Sequence, residues 1–493
     1  MLEGLEVSIE YRSDLCNIDN DTLRYDAEHY QSKYKKINDL LKKNKAVKLV
    51  ELLESPVVTG HTPSMKIDQF YGGLIKFIKT DNLRENQITD FFTSYLTEEG
   101  NKKIKNTTLK SDDILVTIIG ADFNVVGRSA IIDDRHLPAN INQNIGLIRV
   151  KKEKINPKYL TIYLNTKYGR GSLHYHSRQT EQVNLNCREV ERILVPIFQC
   201  LEHKIVKLKK ESDNLLNQSE TLYQNGEKLL LDTLGLSNIT NQSEIFNIKF
   251  LSESFRKTSR LDAEYYQKKY EDVETHITAN PYSKLAQLVK IQKSIEPGSD
   301  AYSDNAEGLP FLRVADYNKF GITQPQKNLN NSYVAENYEK LNSLKPKKQT
   351  ILFSKDGSVG QAYCLREDAD FITSGAILHL TVKNPEQLLP DYLTLVLNSK
   401  LVQMQAERDV GGSIILHWRT KETEEVLIPL TDIKTQKKIA DLVKKSFALK
   451  TESQHLLNAA KHAVEIAIEQ DEQSAIAFLQ SKANVPDLAF STE

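Results

Sequence analysis

The chain of 493 residues carries one short motif twice, and this repeat constrains its fold more than any other feature. The run RYDAEHYQ at residues 24–31 returns as RLDAEYYQ at residues 260–267, a shift of 236 residues (260 − 24). A second run at residues 157–167 returns at residues 390–400, a shift of 233 residues (390 − 157). Two collinear matches at nearly the same shift indicate a duplication, so we expect two copies of one fold. The sequence between the matches diverges, as expected for a repeated scaffold that presents two different surfaces.

Each copy ends in a heptad pattern that predicts a long helix. Leucines recur every seven residues, and mostly small residues recur four positions after each of them. The leucines are Leu201, Leu208, Leu215, Leu222 and Leu229 in the first copy and Leu442, Leu449 and Leu456 in the second. Because both helices carry matching rows, we predict that they pack together as an antiparallel coiled coil about a pseudo-two-fold axis. The alternative is that each helix packs on the core of its own domain.

The rest of each copy predicts a mixed domain with a sheet and few helices. The β-branched runs at residues 114–119 and 376–382 are typical of strands, and Pro157 and Pro390 suit the first turn of a helix. We therefore predict an α+β fold of two tandem domains, each followed by a long helix. The predicted parts are an N-terminal segment 1–39, a first domain 40–198, a first helix 199–235, a linker 236–258, a second domain 259–431, a second helix 432–472 and a C-terminal tail 473–493.

Composition narrows the class of protein. No run of about 20 apolar residues is present, and the N-terminus lacks a basic stretch followed by an apolar one, so we expect neither a membrane span nor a secretory signal. The four cysteines form no C-x-x-C pair, which favours reduced thiols in the cytoplasm. The net charge is −1, which counts mildly against a protein that holds nucleic acid alone.

The sequence offers no convincing catalytic motif. We find no phosphate-binding glycine loop with its lysine and no histidine-rich metal cluster. The run NPKY at residues 156–159 resembles the loop with which adenine methyltransferases hold a flipped base, but the repeat reads LPDY at residues 389–392. The proline there is better explained as a helix start. We therefore predict a non-catalytic protein without a metal.

The order of these parts resembles the specificity subunit of type I restriction-modification systems, over nearly the whole chain. Three sequence features carry the resemblance: the stretch 73–83, the turns at Val126-Gly127 and Val359-Gly360, and the marks Val195-Pro196 and Ile428-Pro429 before each helix. The resemblance implies two target recognition domains on an antiparallel helical spacer, each reading half of a split, asymmetric DNA site. It also implies docking of two adenine-N6 DNA methyltransferase subunits, which restriction subunits can join. S-adenosylmethionine, Mg²⁺ and ATP would then be bound only by the partners.

Base reading needs polar side chains on loops, with lysine and arginine to contact phosphates. The candidate DNA contacts are Thr59, His61, Thr62, Ser64, Lys79, Asn142, Gln143, Arg178, Gln179 and Gln182 in the first copy and Arg313, Lys355, Ser374, His417, Arg419 and Lys421 in the second. Each position could instead belong to an ordinary solvated loop. Trp418, the single tryptophan, is predicted to pack in the core rather than to stack on a base.

Two other functions stay open at this point. One is a stand-alone sequence-specific DNA-binding protein such as a repressor. The other is an adaptor in a different methyltransferase-linked defence system against phage. Tight association with a methyltransferase would argue against the first of these.

Overall fold

The computed structural model describes residues 29, 31–64, 66–89, 92–179, 182–236, 246–303, 307–325, 327–411 and 416–483. Most of the first motif copy lies outside the described residues, as do Gly412, Ser413 and the last ten residues of the predicted tail. Within the described ranges, no helix combines the length and the apolar character needed to cross a membrane.

The chain divides into two compact units, and the division passes through both long helices. The first unit joins the residues up to Leu215 with those from Thr451 onward, and the second unit is Leu216–Lys450. The long helices are Gln199–Thr233 and Ile433–Glu469. Each unit therefore contains one domain, the first half of that domain's own helix and the second half of the other helix. The predicted α+β fold class is confirmed.

The central sheet of each unit has four antiparallel strands in the same order. In the first unit the order is Leu53–Thr59, Ile145–Val150, Ile114–Thr117 and Ser129–Ile131. In the second unit it is Val289–Lys293, Ile377–Val382, Ile351–Ser354 and Ala362–Cys364. Identical strand order at a nearly constant sequence shift confirms that the chain is a duplication.

A second sheet of three strands, with one parallel and one antiparallel pair, is also present twice. Its strands are Ala139–Ile141, Tyr71–Ile78 and Tyr95–Leu96 in the first unit and Ile372–Thr373, Leu309–Leu312 and Lys327–Leu329 in the second. The smaller strand pairs are Val47–Lys48 with Leu194–Val195, Leu83–Arg84 with Gln87–Ile88, Tyr282–Lys284 with Leu427–Pro429, and Tyr317–Asn318 with Gly321–Ile322. A further set in the first unit is Arg178–Gln179, Val183–Asn184 and Ile119–Gly120.

The repeated run after Pro157 and Pro390 forms the same buried helix in both units, at Pro157–Leu164 and Pro390–Asn398. The hydroxyl of Tyr159 donates to the carbonyl oxygen of Pro196, and that of Tyr392 to Pro429, both at 2.9 Å. These bonds hold the Val195-Pro196 and Ile428-Pro429 dipeptides, which precede the long helices, against their domains. The tyrosine of the repeated run and the proline that accepts its bond therefore recur together.

The long helices run antiparallel and meet through their small residues, as predicted. The Oγ atoms of Ser212 and Ser453 lie 2.8 Å apart in the first unit, and those of Ser219 and Ser446 lie 3.0 Å apart in the second. The numbering rises along one helix as it falls along the other, which is the antiparallel arrangement. Because serine is small, the two backbones approach closely enough for Ser453 to donate to the carbonyl oxygen of Ser212 at 2.8 Å.

Besides the leucine row and the row of small residues, each long helix has a third buried row that was not predicted from the sequence. It comprises Leu216, Tyr223 and Leu230 on the first helix and Val443, Leu457 and Val464 on the second. Apart from Leu216, these residues belong to the domain cores. The predicted leucines Leu215, Leu222, Leu229, Leu442 and Leu449 are only partly buried, whereas Leu201, Leu208 and Leu456 are buried. Each helix therefore packs on its partner helix and on a domain at once, which needs a buried face wider than two rows.

The remaining helices are short. They are Ser32–Lys43, Glu98–Lys103, Lys167–His176, Cys187–Glu191, Phe255–Thr258, Lys268–Thr278, Leu285–Leu288, Asn331–Glu336, Tyr338–Leu344, Lys400–Asp409, Thr420–Glu424 and Glu472–Ala483. The last of them occupies the described part of the predicted C-terminal tail.

The stability of the second unit should fall below neutral pH because of His379. This side chain is 3% exposed on the strand Ile377–Val382, its Nε2 lies 2.7 Å from Thr373 Oγ1, and burial lowers its pKa to about 4. An unfolded histidine takes up a proton near pH 6.5, whereas the folded one resists protonation until about pH 4. Stability is therefore lost as pH falls through this window, by about 2 kcal/mol between pH 7 and pH 5.

Urea unfolding at both pH values measures this loss, and His379→Gln should remove it from the second unit. His276→Gln is the matched control, because His276 is exposed. The pKa of His174 in the first unit is also lowered by burial to about 4, so that unit should keep its own pH dependence. An unchanged slope in His379→Gln would contradict the assignment.

Candidate nucleic-acid interface

In the first unit, three polar loop segments meet at one end of the central sheet. The hydroxyl of Thr59, at the end of its strand, donates to the carbonyl oxygen of Gln143 at 2.7 Å. The N–H of Ile118 donates to Asn144 O at 2.9 Å, and Gly120 pairs with Val183. We call residues 59–64, 142–144 and 178–184 the first loop platform, of which 180 and 181 lie outside the described residues. It brings together nine of the ten contacts predicted in the first copy, all but Lys79.

The segment 59–64 is held tightly at its base and exposed beyond it. A Cβ atom at Gly60 would lie 2.1 Å from the carbonyl oxygen of Ile141, so only glycine fits at this position. The hydroxyl of Thr62 donates to the side-chain oxygen of Gln143. His61 and Ser64 are exposed. The segment therefore presents short polar side chains from a fixed backbone.

Two of the predicted contacts in this unit are engaged inside the fold. Asn142 is 7% exposed, and its Oδ1 accepts the N–H of Asn144 at 3.2 Å, which forms the turn that presents Gln143. The ammonium of Lys79 donates to Ser94 Oγ at 2.6 Å. The geometry thus favours a positioning role for Asn142 and a packing role for Lys79.

The third segment is a hairpin that carries Arg178. The Nε of Arg178 lies 3.1 Å from Oε1 of buried Glu189, while more than half of the arginine side chain stays exposed. Gln182 is exposed directly before the other strand, Val183–Asn184. The side chain of Gln179 lies outside the described part. The anchored guanidinium can donate to a base edge or to a phosphate with little loss of side-chain freedom.

The second unit builds an equivalent platform from different residues. The N–H of Gly375 donates to Ile295 O at 2.8 Å, and that of Lys355 to Ala376 O at 2.9 Å. The N–H of Trp418 donates to Lys355 O at 2.7 Å. We call residues 292–295, 374–376 and 416–419, with Lys355 and Gly411, the second loop platform. It contains four of the six contacts predicted in the second copy, and Arg313 and Lys421 lie outside it.

The charges of the second platform are partly neutralised. Asp356 contacts the ammonium of Lys355 and accepts from His417 Nδ1 at 2.9 Å. Arg313, next to the platform, pairs with buried Asp316 at 3.2 Å. The Nε of Arg419 lies 3.9 Å from Glu422, but the arginine side chain is 83% exposed. Arg419 is therefore the predicted cation best placed to reach an external phosphate or base.

The remaining second-unit predictions have mixed outcomes. Ser374 is buried, and its N–H donates to Leu312 O at 2.9 Å. Lys421 is exposed in the short helix after Arg419. The prediction that Trp418 packs in the core is confirmed, since its side chain is fully buried.

Sequence reasoning missed Gln292 and Lys293, which are exposed at the end of their strand. The register places Gln292 opposite His379 and Thr59 opposite Gly146, and these two pairs are related by the repeat shift of 233 residues (292 − 59 and 379 − 146). Gln292 and Lys293 therefore correspond to Thr59 and Gly60. Applying the shift to the candidate Thr59 would have identified Gln292, and Lys293 is the next residue.

No group of three or more histidine, cysteine, aspartate or glutamate side chains able to hold a metal ion occurs in the described part of the chain.

Comparison with known proteins places both copies in one family model. The model of the type I restriction modification DNA specificity domain matches residues 42–221 and 280–461. The MjaVIII type I restriction enzyme specificity subunit of Methanocaldococcus jannaschii is 25% identical over 228 residues, which are 45% of this chain. The EcoBI specificity subunit of Escherichia coli is 22% identical over 338 residues, which are 63% of this chain. The matches span 52% and 63% of the two relatives' own lengths.

Among solved structures, the S subunit of a type I restriction-modification system from M. genitalium aligns with 88% of this chain and 95% of its own, at 12% identity and a TM-score of 0.34.

Proposed function

The chain belongs to the type I restriction modification DNA specificity domain family, and we propose from this membership that it selects the DNA sequence on which its partner subunits act. Each unit would read one half of a split, asymmetric site. The observation that carries the proposal is the loop platform, built twice at the same sheet end with different side chains. A repeated scaffold with divergent loops suits two different half-sites.

The chemistry of the platforms supports reading of double-stranded DNA. The amide of Gln143 can both donate to and accept from an adenine edge in the major groove. The guanidinium groups of Arg178 and Arg419 can donate in pairs to guanine or to a phosphate. The hydroxyls of Thr59 and Thr62 add shorter donors and acceptors beside Gln143. Protein loops of this kind carry specificity through base edges and orientation through phosphates.

We place catalysis on other subunits. The proposed partners are two adenine-N6 DNA methyltransferase subunits, which restriction subunits can join. S-adenosylmethionine, Mg²⁺ and ATP would be bound by those partners, and this chain would act in the cytoplasm as a non-catalytic subunit. The family membership favours this function over a stand-alone repressor.

Substitution of a single platform residue should change the base preference in one half-site only. In cells that express the methyltransferase, Arg178→Ala should lower modification of the whole site and relax base preference in the first half-site only. Arg419→Ala should relax base preference in the second half-site only. Loss of a paired contact to a base costs about 1–3 kcal/mol, so we expect roughly a 5- to 100-fold loss for sites with the native base and relaxed preference at that position. Single-molecule sequencing of N6-methyladenine measures both effects.

Each variant is the control for the other, because both retain the unaltered platform of the opposite unit. Relaxed base preference in the same half-site in both variants, with normal protein levels, would argue against independent reading by the two units. Unchanged motifs in both variants would remove these arginines from the interface.

A further inference from the structure

One contact between a domain and a long helix occurs in both units with its charges exchanged. In the first unit, Glu85 on the hairpin of strands Leu83–Arg84 and Gln87–Ile88 lies 3.1 Å from Lys461 on the second helix. In the second unit, Lys319 on the equivalent hairpin lies 3.6 Å from Glu227 on the first helix. Both residues are shifted by 234 positions (319 − 85 and 461 − 227), so the two ion pairs occupy the same site of the repeated fold.

The residues around this ion pair also differ between the two units. Next to Lys319, the ring of Phe320 packs edge-on against Tyr223 of the first helix, with centroids 5.2 Å apart. The equivalent residues of the first unit are Asn86 and Leu457 (320 − 234 and 223 + 234). Asn86 is buried and accepts from Asn165 Nδ2 at 3.0 Å. At this position only the first helix carries an aromatic residue, Tyr223, and the second domain packs Phe320 against it.

The first domain makes further polar contacts that depend on the second helix. The ammonium of Lys167 lies 2.7 Å from Glu469, and the hydroxyl of Tyr168 donates to the same carboxylate at 3.0 Å. The equivalent of Glu469 in the first half is Gly235 (469 − 234), which lies just beyond the first helix and has no side chain to accept these bonds. The first domain is thus complementary to the second helix and not to the first.

The serine contacts between the two long helices do not distinguish one helix from the other. The first-helix equivalent of Ser453 is Ser219 (453 − 234), so two first helices could also meet through serines. Two copies of the chain could therefore form a dimer in which the first helices of both copies pair with each other and the second helices do the same. In that dimer, Glu85 would face Glu227 and Lys319 would face Lys461, which are like-charged pairs.

We propose that these charge-exchanged contacts form a recognition surface by which each domain selects the helix of the other half of its own chain and rejects the equivalent helix of a second copy. A single exposed ion pair contributes little. The selection arises because a wrong pairing turns both ion pairs into repulsions at the same time and also loses the contacts of Glu469 and Tyr223. This inference does not depend on the proposed function.

The test reverses the charges on the domains of the full-length chain. In the double variant Glu85→Lys with Lys319→Glu, both native contacts become like-charged and both exchanged contacts become opposite. We expect roughly a tenfold rise in the ratio of dimer to monomer relative to the unmodified chain, measured by light scattering after size-exclusion chromatography. In 1 M NaCl the rise should largely disappear, since the contacts are exposed and screened.

The quadruple variant, which adds Glu227→Lys and Lys461→Glu, restores opposite charges in both native contacts and should return to the native dimer ratio. A double variant that is folded by circular dichroism and keeps the native ratio would overturn the proposal. So would a double variant whose dimers persist unchanged in the quadruple variant, because the cause would then lie outside these pairs.

Discussion

Replacement of Trp418 by alanine should lower the free energy of unfolding of the second unit by about 3–5 kcal/mol, the cost of removing a large buried aromatic side chain. The Trp418 side chain is 0% exposed, and its ring centroid lies 5.7 Å from that of Phe353 in the core. Its backbone N–H also donates to the carbonyl oxygen of Lys355, which follows the strand Ile351–Ser354. The second loop platform rests on this core, so we expect methylation that depends on the second half-site to be lost.

Urea unfolding followed by circular dichroism measures the loss of stability, since the variant has no tryptophan to report by fluorescence. Trp418→Phe should retain most of the stability because it leaves a smaller cavity. The control is Tyr338→Ala, in which an exposed aromatic residue of the same unit is removed at little cost. A loss below 1 kcal/mol in Trp418→Ala would contradict the packing described here.

Leucine in place of Ser212 should be comparably damaging, because it enlarges a side chain at the closest approach of the two long helices. Ser212 is 1% exposed, and its Oγ lies between the Oγ and the carbonyl oxygen of Ser453, at 2.8 and 3.0 Å. Overpacking costs about 1–3 kcal/mol, and loss of the hydrogen bonds that the Ser212 hydroxyl makes with Ser453 adds about 1 kcal/mol. We expect the first unit to lose about 2–4 kcal/mol.

Asn214→Leu is the matched control, since Asn214 is exposed two residues further along the same helix. Ser212→Ala should fall between the two variants, because it removes the hydroxyl without adding volume. Equal stability of Ser212→Leu and Asn214→Leu in thermal and urea unfolding would show that the helices do not meet through the serine row.

The parts of the fold that follow from a periodic pattern or from a repeated motif could be predicted from the sequence. The heptad rows predicted the antiparallel helices, and the recurring proline runs predicted the buried helices that begin at Pro157 and Pro390. The third buried row, which includes Tyr223 and Leu457, was missed because it faces the domains. Amphipathic spacing alone does not reveal how many neighbours a helix has.

The candidate site was predictable at the level of segments and less so for single side chains. Residues 59–64 and 142–144 were identified as polar loops, and the structure joins them in one platform. The burial of Asn142 and Ser374 could not be foreseen, since a short polar side chain serves equally well in a solvated loop and in a backbone turn. Asp356, which contacts the Lys355 ammonium and accepts from His417, was also missed because its partners are brought close only by the fold.

The most direct test of the account is the genome-wide pattern of N6-methyladenine in the host with and without this gene, obtained by single-molecule sequencing. We expect deletion to abolish methylation at one split, asymmetric motif and to leave all other motifs unchanged, and we expect the intact gene to restore it. Persistence of every methylated motif after deletion, in cells that still express the partner methyltransferase, would contradict the assignment of this chain as the DNA-reading subunit.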